Sequence, residues 1–155
     1  MLKTVICQKN LNKPIKIVYF SNKQTIINKI IPNLFGTTLI MGRNNKDKND
    51  YNITETENLK FLTVHKAKGL EFDNTIIINL ENKTNGFPSR IPNPKLLDKI
   101  IKTDSYPDEE ERRLFYVALT RSKNYTYLLV PKNNPSIFIT EIKKYGKEYI
   151  EEINL

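Results

Sequence analysis

Five nearly continuous apolar runs constrain the fold of this chain more than any other feature of the sequence. Apolar residues fill most positions of these runs instead of alternating with polar ones, which is typical of strands whose two faces are both covered. The runs occupy residues 15–20 (IKIVYF), 37–41 (TTLIM), 59–64 (LKFLTV), 75–80 (TIIINL) and 125–130 (YTYLLV). We therefore predict five buried strands.

Helical patterns lie between these runs and decide how the strands pair. Ser21 can cap a helix that carries four isoleucines between residues 26 and 31 along one side. Asp108 can cap a helix over 109–122, and Ser136 can cap one that Gly146 would end. Strands that alternate with helices predict an α/β fold, with a mostly parallel sheet and helices on both faces.

The length of 155 residues suits one domain with a proper core. We predict that the domain spans residues 15–146, after a lead-in segment over 1–14 and before a C-terminal tail over 147–155. Two loops, residues 42–58, rich in Asn, and residues 81–94, rich in Pro and Asn, interrupt the alternation of strands and helices. Loops of that length in a compact domain are often functional.

Charge and cysteine content narrow the classes of partner and compartment. The formal net charge of +8 favours an anionic partner such as nucleic acid, although a general bias towards Lys and Asn would produce the same charge. Cys7 is the only cysteine, which excludes an intramolecular disulfide and is typical of the reducing cytoplasm. No apolar run has the length of a membrane span, so we expect a cytoplasmic protein without a membrane partner.

The connection TVHKAKGLEFD, residues 63–73, places one histidine, two lysines, one glycine and two acids between two predicted strands. We expect this turn outside the carboxyl ends of the strands, where α/β sheets bind ligands. Its polar residues are either ligand contacts or an ordinary hydrogen-bonded turn with a solvated loop. A single histidine without a second His or Cys ligand argues against a metal site. No segment matches the phosphate-binding P-loop pattern.

The second polar segment, DEEERRLFYVALTRS over residues 108–122, reads as one helix. Its three acids fall in the first turn, where they favour the helix dipole. Leu114, Val117 and Ala118 form an apolar stripe that we expect to face the sheet. Arg121, at the end of the helix, suits either of two roles: a partner of the dipole, or a bidentate phosphate ligand.

These two segments, in this order, resemble motifs V and VI of superfamily 1 DNA helicases of the UvrD/Rep type. TVHKAKGLEFD is similar to the pattern T-x-H-x-x-K-G-L-E-F, and EEERRLFYVALTRSK is similar to E-E-R-R-L-x-Y-V-A-x-T-R-A-[KR]. GFPS, residues 86–89, resembles the G-x-F-P-S loop between those motifs, and TTLIMGRNN lies where motif IV is expected. Residues 106–144 are most similar to the helicase IV branch of the family, in which N-P-S-x-F follows the last strand.

The resemblance implies a RecA-like fold and a role for each matching residue. Arg121 would be the catalytic arginine that contacts the γ-phosphate of ATP. Glu71 would bind the ribose, beside a turn that Gly69 shapes at the nucleotide. Thr63, His65 and Lys66 would lie on the DNA side of the turn. Phe87 would either approach the DNA or pack on its own domain.

The resemblance also implies that this chain holds half of a catalytic site. The P-loop lysine, the Mg²⁺-binding acid and the catalytic glutamate belong to the first RecA-like domain of such helicases, and no residues here match them. We therefore expect a second motor domain, termed 2A, excised from the C-terminal part of a longer ATP- and Mg²⁺-dependent 3′–5′ helicase and inactive alone. Its partners would be the first RecA-like domain and single-stranded or partly duplex DNA. The alternatives are a stand-alone nucleic-acid-binding module or a helicase-like module that associates with RNA polymerase.

Overall fold

One six-stranded, all-parallel sheet organises the chain, for which a computed structural model describes residues 13–90 and 108–155. The predicted lead-in up to residue 12, which includes Cys7, and the end of the loop at 91–94 lie outside the described residues. The strand order is β3-β2-β4-β5-β1-β6. The strands are β1 Ile15–Phe20, β2 Thr38–Gly42, β3 Leu59–Thr63, β4 Phe72–Ile77, β5 Ser122–Pro131 and β6 Ile150–Asn154. The predicted α/β class and parallel sheet are confirmed.

Helices cover both faces of the sheet, as the alternation of strands and helices predicts. The helices are α1 Ile26–Ile30, α2 Asp47–Asp50, α3 Val64–Ala67, α4 Glu109–Leu119 and α5 Ile137–Gly146, with short 3₁₀ turns at Ile31–Asn33 and Lys147–Tyr149. Buried side chains of α3, α4 and α5 join one apolar cluster, whereas those of α1 join the cluster on the opposite face. The sheet is therefore the middle of three layers.

The central strands β4 and β5 show why the apolar runs are continuous. Ile76, Ile77, Leu128 and Leu129 are completely buried, and so is Ile78 just after β4. Ile76 and Leu129 point into one cluster, and Ile77 and Leu128 point into the other. Successive side chains of a strand point to opposite faces, so a strand with two covered faces needs apolar residues at every position. The prediction that these five residues are buried in the middle of the sheet is confirmed.

A sixth strand lies in the segment that the sequence predicts to be a C-terminal tail. Ile150–Asn154 pairs in parallel with β1, in a register that places Ile150 opposite Ile15. Its sequence, IEEIN, has only two apolar residues because β6 is an edge strand with polar side chains in reach of water. The segment from 147 to 155 is therefore part of the sheet and not a tail.

Two predicted helix starts differ from the structure, and one agrees with it. Helix α1 begins five residues after Ser21, because the Asn22 side chain first accepts the backbone N–H of Gln24 in a turn. Asp108 does precede α4, but its backbone is left-handed and its side chain makes no capping hydrogen bond. Ser136 caps α5 as predicted: its hydroxyl oxygen accepts the N–H of Phe138.

The buried face of α4 is rotated from the predicted stripe. Phe115, Ala118 and Leu119 are buried, whereas Leu114 is half-buried and only flanks the same cluster. Val117, the third member of the predicted stripe, is also only half-buried. Phe115 provides the larger apolar surface, and its ring lies between neighbouring aromatic rings. Aromatic packing therefore sets the rotation of this helix.

Candidate functional site

The segment 63–73 crosses one face of the sheet. It runs from the carboxyl edge, where the parallel strands have their carboxyl ends, to the amino edge, where the strands begin. It leaves β3 at Thr63, forms α3, and enters β4 at Phe72. Because all six strands are parallel, the end of β3 and the start of β4 lie at opposite edges. The expectation that the whole turn lies outside the carboxyl ends is therefore wrong for its second half. Its polar residues form two groups, one at each edge.

The carboxyl-edge group consists of Thr63, His65 and Lys66. Thr63 ends β3, pairs with Gly42 at the end of β2, and is only 8% exposed. His65 and Lys66 follow on α3 and are exposed, while their neighbours Val64 and Ala67 are completely buried against the sheet. Because Val64 and Ala67 of this one-turn helix pack against the sheet, the side chains of His65 and Lys66 point to solvent.

Gly69 lets the chain turn towards the amino edge. Its φ is +84°, and a Cβ built at this position would meet no atom within 4 Å. The requirement for glycine is therefore one of backbone conformation and not of space, since other residues adopt this φ at a cost. The next two residues, Leu70 and Glu71, are exposed and reach solvent at the start of β4.

Arg121 lies at the same amino edge, next to Glu71. The backbone N–H of Phe72 donates to the carbonyl oxygen of Arg121 at 3.0 Å, which brings the residue just before β4 alongside the residue just before β5. The guanidinium of Arg121 folds over the last turn of α4. Its Nε donates to the Val117 carbonyl at 3.2 Å, and its Nη2 donates to the Thr120 hydroxyl at 2.6 Å. A carboxylate and a half-buried guanidinium thus share one edge.

Asp73 ties the starts of two neighbouring strands together at this edge. Its Oδ2 accepts the N–H of Thr37 at 2.8 Å and the Thr37 hydroxyl at 3.0 Å, and its own N–H donates back to that hydroxyl. The backbone and side-chain hydrogen bonds from Thr37 hold the pKa of the Asp73 carboxyl below its usual range. The amino edge beside Glu71 is therefore fixed by side chains as well as by the sheet.

Phe87, predicted either to contact DNA or to pack on its own domain, has a completely buried ring. The ring makes edge-on contacts with Phe115 of α4 and Phe138 of α5, at centroid distances of 5.9 and 5.7 Å. The Ser136 hydroxyl donates to the Phe87 carbonyl at 2.6 Å and closes the loop onto α5. The structure favours packing, because the ring has no surface with which to contact DNA.

The same loop is held from its other side by a buried polar cluster. Asn79 donates through its side-chain amide to Asp47 Oδ1 at 3.0 Å and to the Asn85 carbonyl at 2.8 Å. Burial raises the pKa of the Asp47 carboxyl, against the effect of the Asn44 N–H that donates to it. Residues 79–89 are thus anchored to α2, α4 and α5 at the carboxyl edge.

A partly buried ion pair at this edge was not predicted from the sequence. Arg43, just after β2, binds Glu111 of α4 through two nitrogens: Nε lies 2.9 Å and Nη2 2.7 Å from Oε1. The three acids at the start of α4 therefore differ, since Glu111 is 9% exposed and pairs across the fold, and only its neighbours remain near solvent. The available signal was an arginine directly after a strand in TTLIMGRNN.

No cluster of three or more His, Cys, Asp or Glu side chains suited to a metal ion occurs among residues 13–90 and 108–155. Over those same ranges, every helix is too short or too polar to cross a bilayer.

Comparison with known proteins shows which proteins this chain is similar to. The model of the family described as UvrD-like helicase C-terminal domain matches residues 9–133. DNA helicase IV of Escherichia coli (strain K12) is 37% identical over 86 residues, which are 55% of this chain and 13% of that protein. The ATP-dependent DNA helicase PcrA of Staphylococcus epidermidis (strain ATCC 35984) is 33% identical over 104 residues, again 13% of its length. The chain thus spans about an eighth of these relatives.

A solved structure supports the same fold over nearly the whole chain. The C-terminal domain of a possible DNA helicase from Lactobacillus plantarum WCFS1 aligns with a TM-score of 0.59. The alignment covers 96% of this chain and 93% of that one, with 17% sequence identity. At this identity the likeness concerns the fold alone.

Proposed function

Since this chain belongs to the UvrD-like helicase C-terminal domain family, we propose that it is the second motor domain, 2A, of an ATP-dependent 3′–5′ DNA helicase. The observation that carries this proposal is the division of segment 63–73 between two edges of one sheet. One edge presents His65 and Lys66, and the other presents Glu71 beside Arg121. A domain built in this way can contact two different ligands through one continuous segment.

The amino edge is the proposed nucleotide side. The planar guanidinium of Arg121 suits the oxygens of a phosphate, and the exposed carboxylate of Glu71 suits the hydroxyls of a ribose. During phosphoryl transfer, Arg121 would stabilise the negative charge that spreads over the phosphate oxygens. ATP would supply the phosphoryl group. The Mg²⁺ ligands would come from the first RecA-like domain, as the resemblance to UvrD/Rep-type helicases implies.

The carboxyl edge is the proposed side for single-stranded DNA. Lys66 would neutralise a backbone phosphate, His65 would donate a hydrogen bond or stack, and Thr63 would contribute the backbone and hydroxyl at the end of β3. Anchoring of α3 by its buried residues Val64 and Ala67 keeps these groups in a fixed arrangement. Phe87 is not part of this proposal because its ring is buried.

We expect the isolated chain to bind single-stranded DNA weakly and with a strong dependence on salt. Each phosphate neutralised releases condensed counterions, so the logarithm of the binding constant should fall with the logarithm of salt concentration by roughly 0.7 per contact. Fluorescence anisotropy of labelled oligo-dT at several salt concentrations measures this slope. Lys66→Ala should lower both the affinity and the slope, and His65→Ala should lower the affinity alone by a few-fold.

Lys29→Ala is the matched control for the loss of a lysine. Lys29 is exposed on α1, which packs on the opposite face of the sheet from α3, so its loss changes the net charge equally but leaves the proposed DNA side intact. Equal effects of Lys66→Ala and Lys29→Ala would assign the binding to net charge and contradict the proposed side. Binding that is tight and insensitive to salt would contradict a phosphate contact altogether.

We also expect the isolated chain to hydrolyse no ATP above background. Arg121 stabilises charge on a phosphate that another domain must hold, since no segment of this sequence matches a P-loop. A coupled-enzyme phosphate assay, with and without oligo-dT, measures the turnover. Steady turnover that Arg121→Ala abolishes would show that the chain contains a complete catalytic site, and would contradict its assignment as half of one.

A further inference from the structure

Helix α4 is held at its amino-terminal end by a polar clamp formed by Arg43, Ser89 and Glu111. Arg43 Nε lies 2.9 Å from Glu111 Oε1 and 3.0 Å from Oε2, and Arg43 Nη2 lies 2.7 Å from Oε1. The backbone N–H of Ser89 donates to Oε2 at 2.8 Å. The carboxylate of Glu111 thus receives bonds from the end of β2 and from the loop that precedes α4 in the chain.

Burial distinguishes this clamp from an ordinary surface ion pair on the same helix. The side chains of Arg43 and Glu111 are 22% and 11% exposed, whereas that of Arg113, which pairs with Glu109, is 72% exposed. A bidentate guanidinium–carboxylate pair fixes direction as well as distance. Apolar packing along α4 is not directional in this way. The clamp can therefore set the position of α4 along its own axis, together with the bidentate pair that joins Arg112 of α4 to Glu141 of α5.

The two ends of α4 lie at the two edges of the sheet. Arg43 follows Gly42, which pairs with Thr63, so the clamp is one strand away from the proposed DNA side. Ten residues later, Arg121 follows the last turn of the helix at the proposed nucleotide side. At a rise of 1.5 Å per residue, the separation along the axis is about 15 Å. A displacement of the helix at Glu111 would be carried to Arg121, since a helix of this length moves as a rigid unit.

We propose that Arg43 and Glu111 are positioning residues for Arg121. By holding the amino-terminal end of α4 on the carboxyl edge, they fix where the guanidinium of Arg121 lies on the amino edge. This inference rests on the proposed function for its significance, because the position of Arg121 matters to catalysis if it contacts a phosphate. The positional effect itself belongs to the free chain and needs neither nucleotide nor DNA.

Glu111→Gln tests the proposal in the isolated chain by NMR. The substitution keeps the size of the side chain and removes the charge that binds the guanidinium of Arg43. We expect a shift of the Arg121 Nε–H signal, because its bonds to Val117 and Thr120 depend on the end of α4. We also expect hydrogen exchange of the Phe72 amide, which donates to Arg121, to become at least about tenfold faster relative to that of Leu128 in the central strand.

Glu109→Gln is the matched control. Glu109 lies on the same first turn of α4 as Glu111 and also pairs with an arginine, Arg113, but this pair is at the surface. It should leave the Arg121 signal and the Phe72 exchange unchanged. Arg43→Lys keeps the positive charge and loses the fork, so it should give the same selective changes in smaller measure, and it serves as the second variant if Glu111→Gln does not fold.

Three results would overturn the positioning role. The first is a folded Glu111→Gln or Arg43→Lys variant with unchanged Arg121 and Phe72 signals. The second is faster exchange that is equal at Phe72 and Leu128, which indicates general destabilisation only. The third is an equal response to Glu109→Gln. Because no ligand is present, these failures count against the clamp alone, and the phosphate contact of Arg121 is tested separately by its own substitution.

Discussion

Arg121→Lys is expected to lower DNA-stimulated ATP hydrolysis by at least about 100-fold in a motor that combines this domain with a P-loop domain in one polypeptide. An arginine that contacts the transferred phosphoryl group typically raises kcat by a factor of roughly 10³–10⁵. Lysine keeps the positive charge and loses the planar fork, so the substitution isolates bidentate contact from charge. If Arg121 were only a partner of the helix dipole, its loss would cost about 0.3–1 kcal/mol of stability and leave the rate nearly unchanged.

Steady-state kinetics with thermal unfolding of the same samples separates these outcomes. We expect a lower kcat, a KM for ATP that changes much less, and a nearly unchanged melting temperature, since Glu71 and the first domain would still hold the nucleotide. Arg113→Lys is the matched control, because Arg113 is an exposed arginine on the same helix. A rate for Arg121→Lys close to that of Arg113→Lys would remove Arg121 from the catalytic residues.

Phe87→Ala is expected to destabilise the domain by about 3–5 kcal/mol, the range for removal of a buried aromatic ring. The ring is 0% exposed and touches Phe115 and Phe138 from two helices, so its loss opens a cavity that neither helix can fill alone. Domains of this size are stable by only about 5–15 kcal/mol. Urea unfolding of both proteins, followed by circular dichroism, measures the difference.

Phe35→Ala is the control for the same chemical change at the surface. Phe35 is 87% exposed, and its substitution should change the free energy of unfolding by less than about 0.5 kcal/mol. Phe87→Leu should fall between the two. If Phe87→Ala were as mild as Phe35→Ala and instead weakened binding of single-stranded DNA, the ring would have to leave the core, and the buried position would not represent the DNA-bound state.

The strands were predictable from the sequence because burial on two faces leaves a strong local signal. Four of the five predicted strands start within one residue of their observed start or lie inside the observed strand, and β1 agrees at both ends. β4 begins three residues before its predicted start, because Phe72 and Asn74 pair with neighbouring strands and the polar Asp73 lies in the irregularity between them. β6 escaped prediction because an edge strand needs few apolar residues.

The candidate site was predictable as a set of residues but not as an arrangement. The motifs identify Glu71 and Arg121 separately, and nothing local indicates that a hydrogen bond between Phe72 and Arg121 places them side by side. The pair of Arg43 and Glu111 joins positions 68 residues apart, and no periodic pattern reports such a contact. The burial of Phe87 likewise depends on two helices that follow it in the chain.

The short connection through α3, between β3 and β4, limits which insertions and deletions this domain tolerates. β3 has five residues, so the sheet is roughly 16 Å high at 3.3 Å per residue. The connection from residue 64 to residue 71 covers this height with four helical residues and four others. These eight residues would reach about 19 Å if the last four were extended, and they reach less because the Leu70 N–H donates to the Ala67 carbonyl in a turn.

Little slack remains, so deletion of one residue between Gly69 and Glu71 would pull either α3 off the core or β4 out of register. The loop between β5 and α5 has no such limit, since it leaves the strand and enters the helix at the same, carboxyl edge. Changes in length should therefore be accepted there, whereas deletions should be rejected in this connection. The height of the sheet therefore sets the distance between the two proposed ligand sites of the segment.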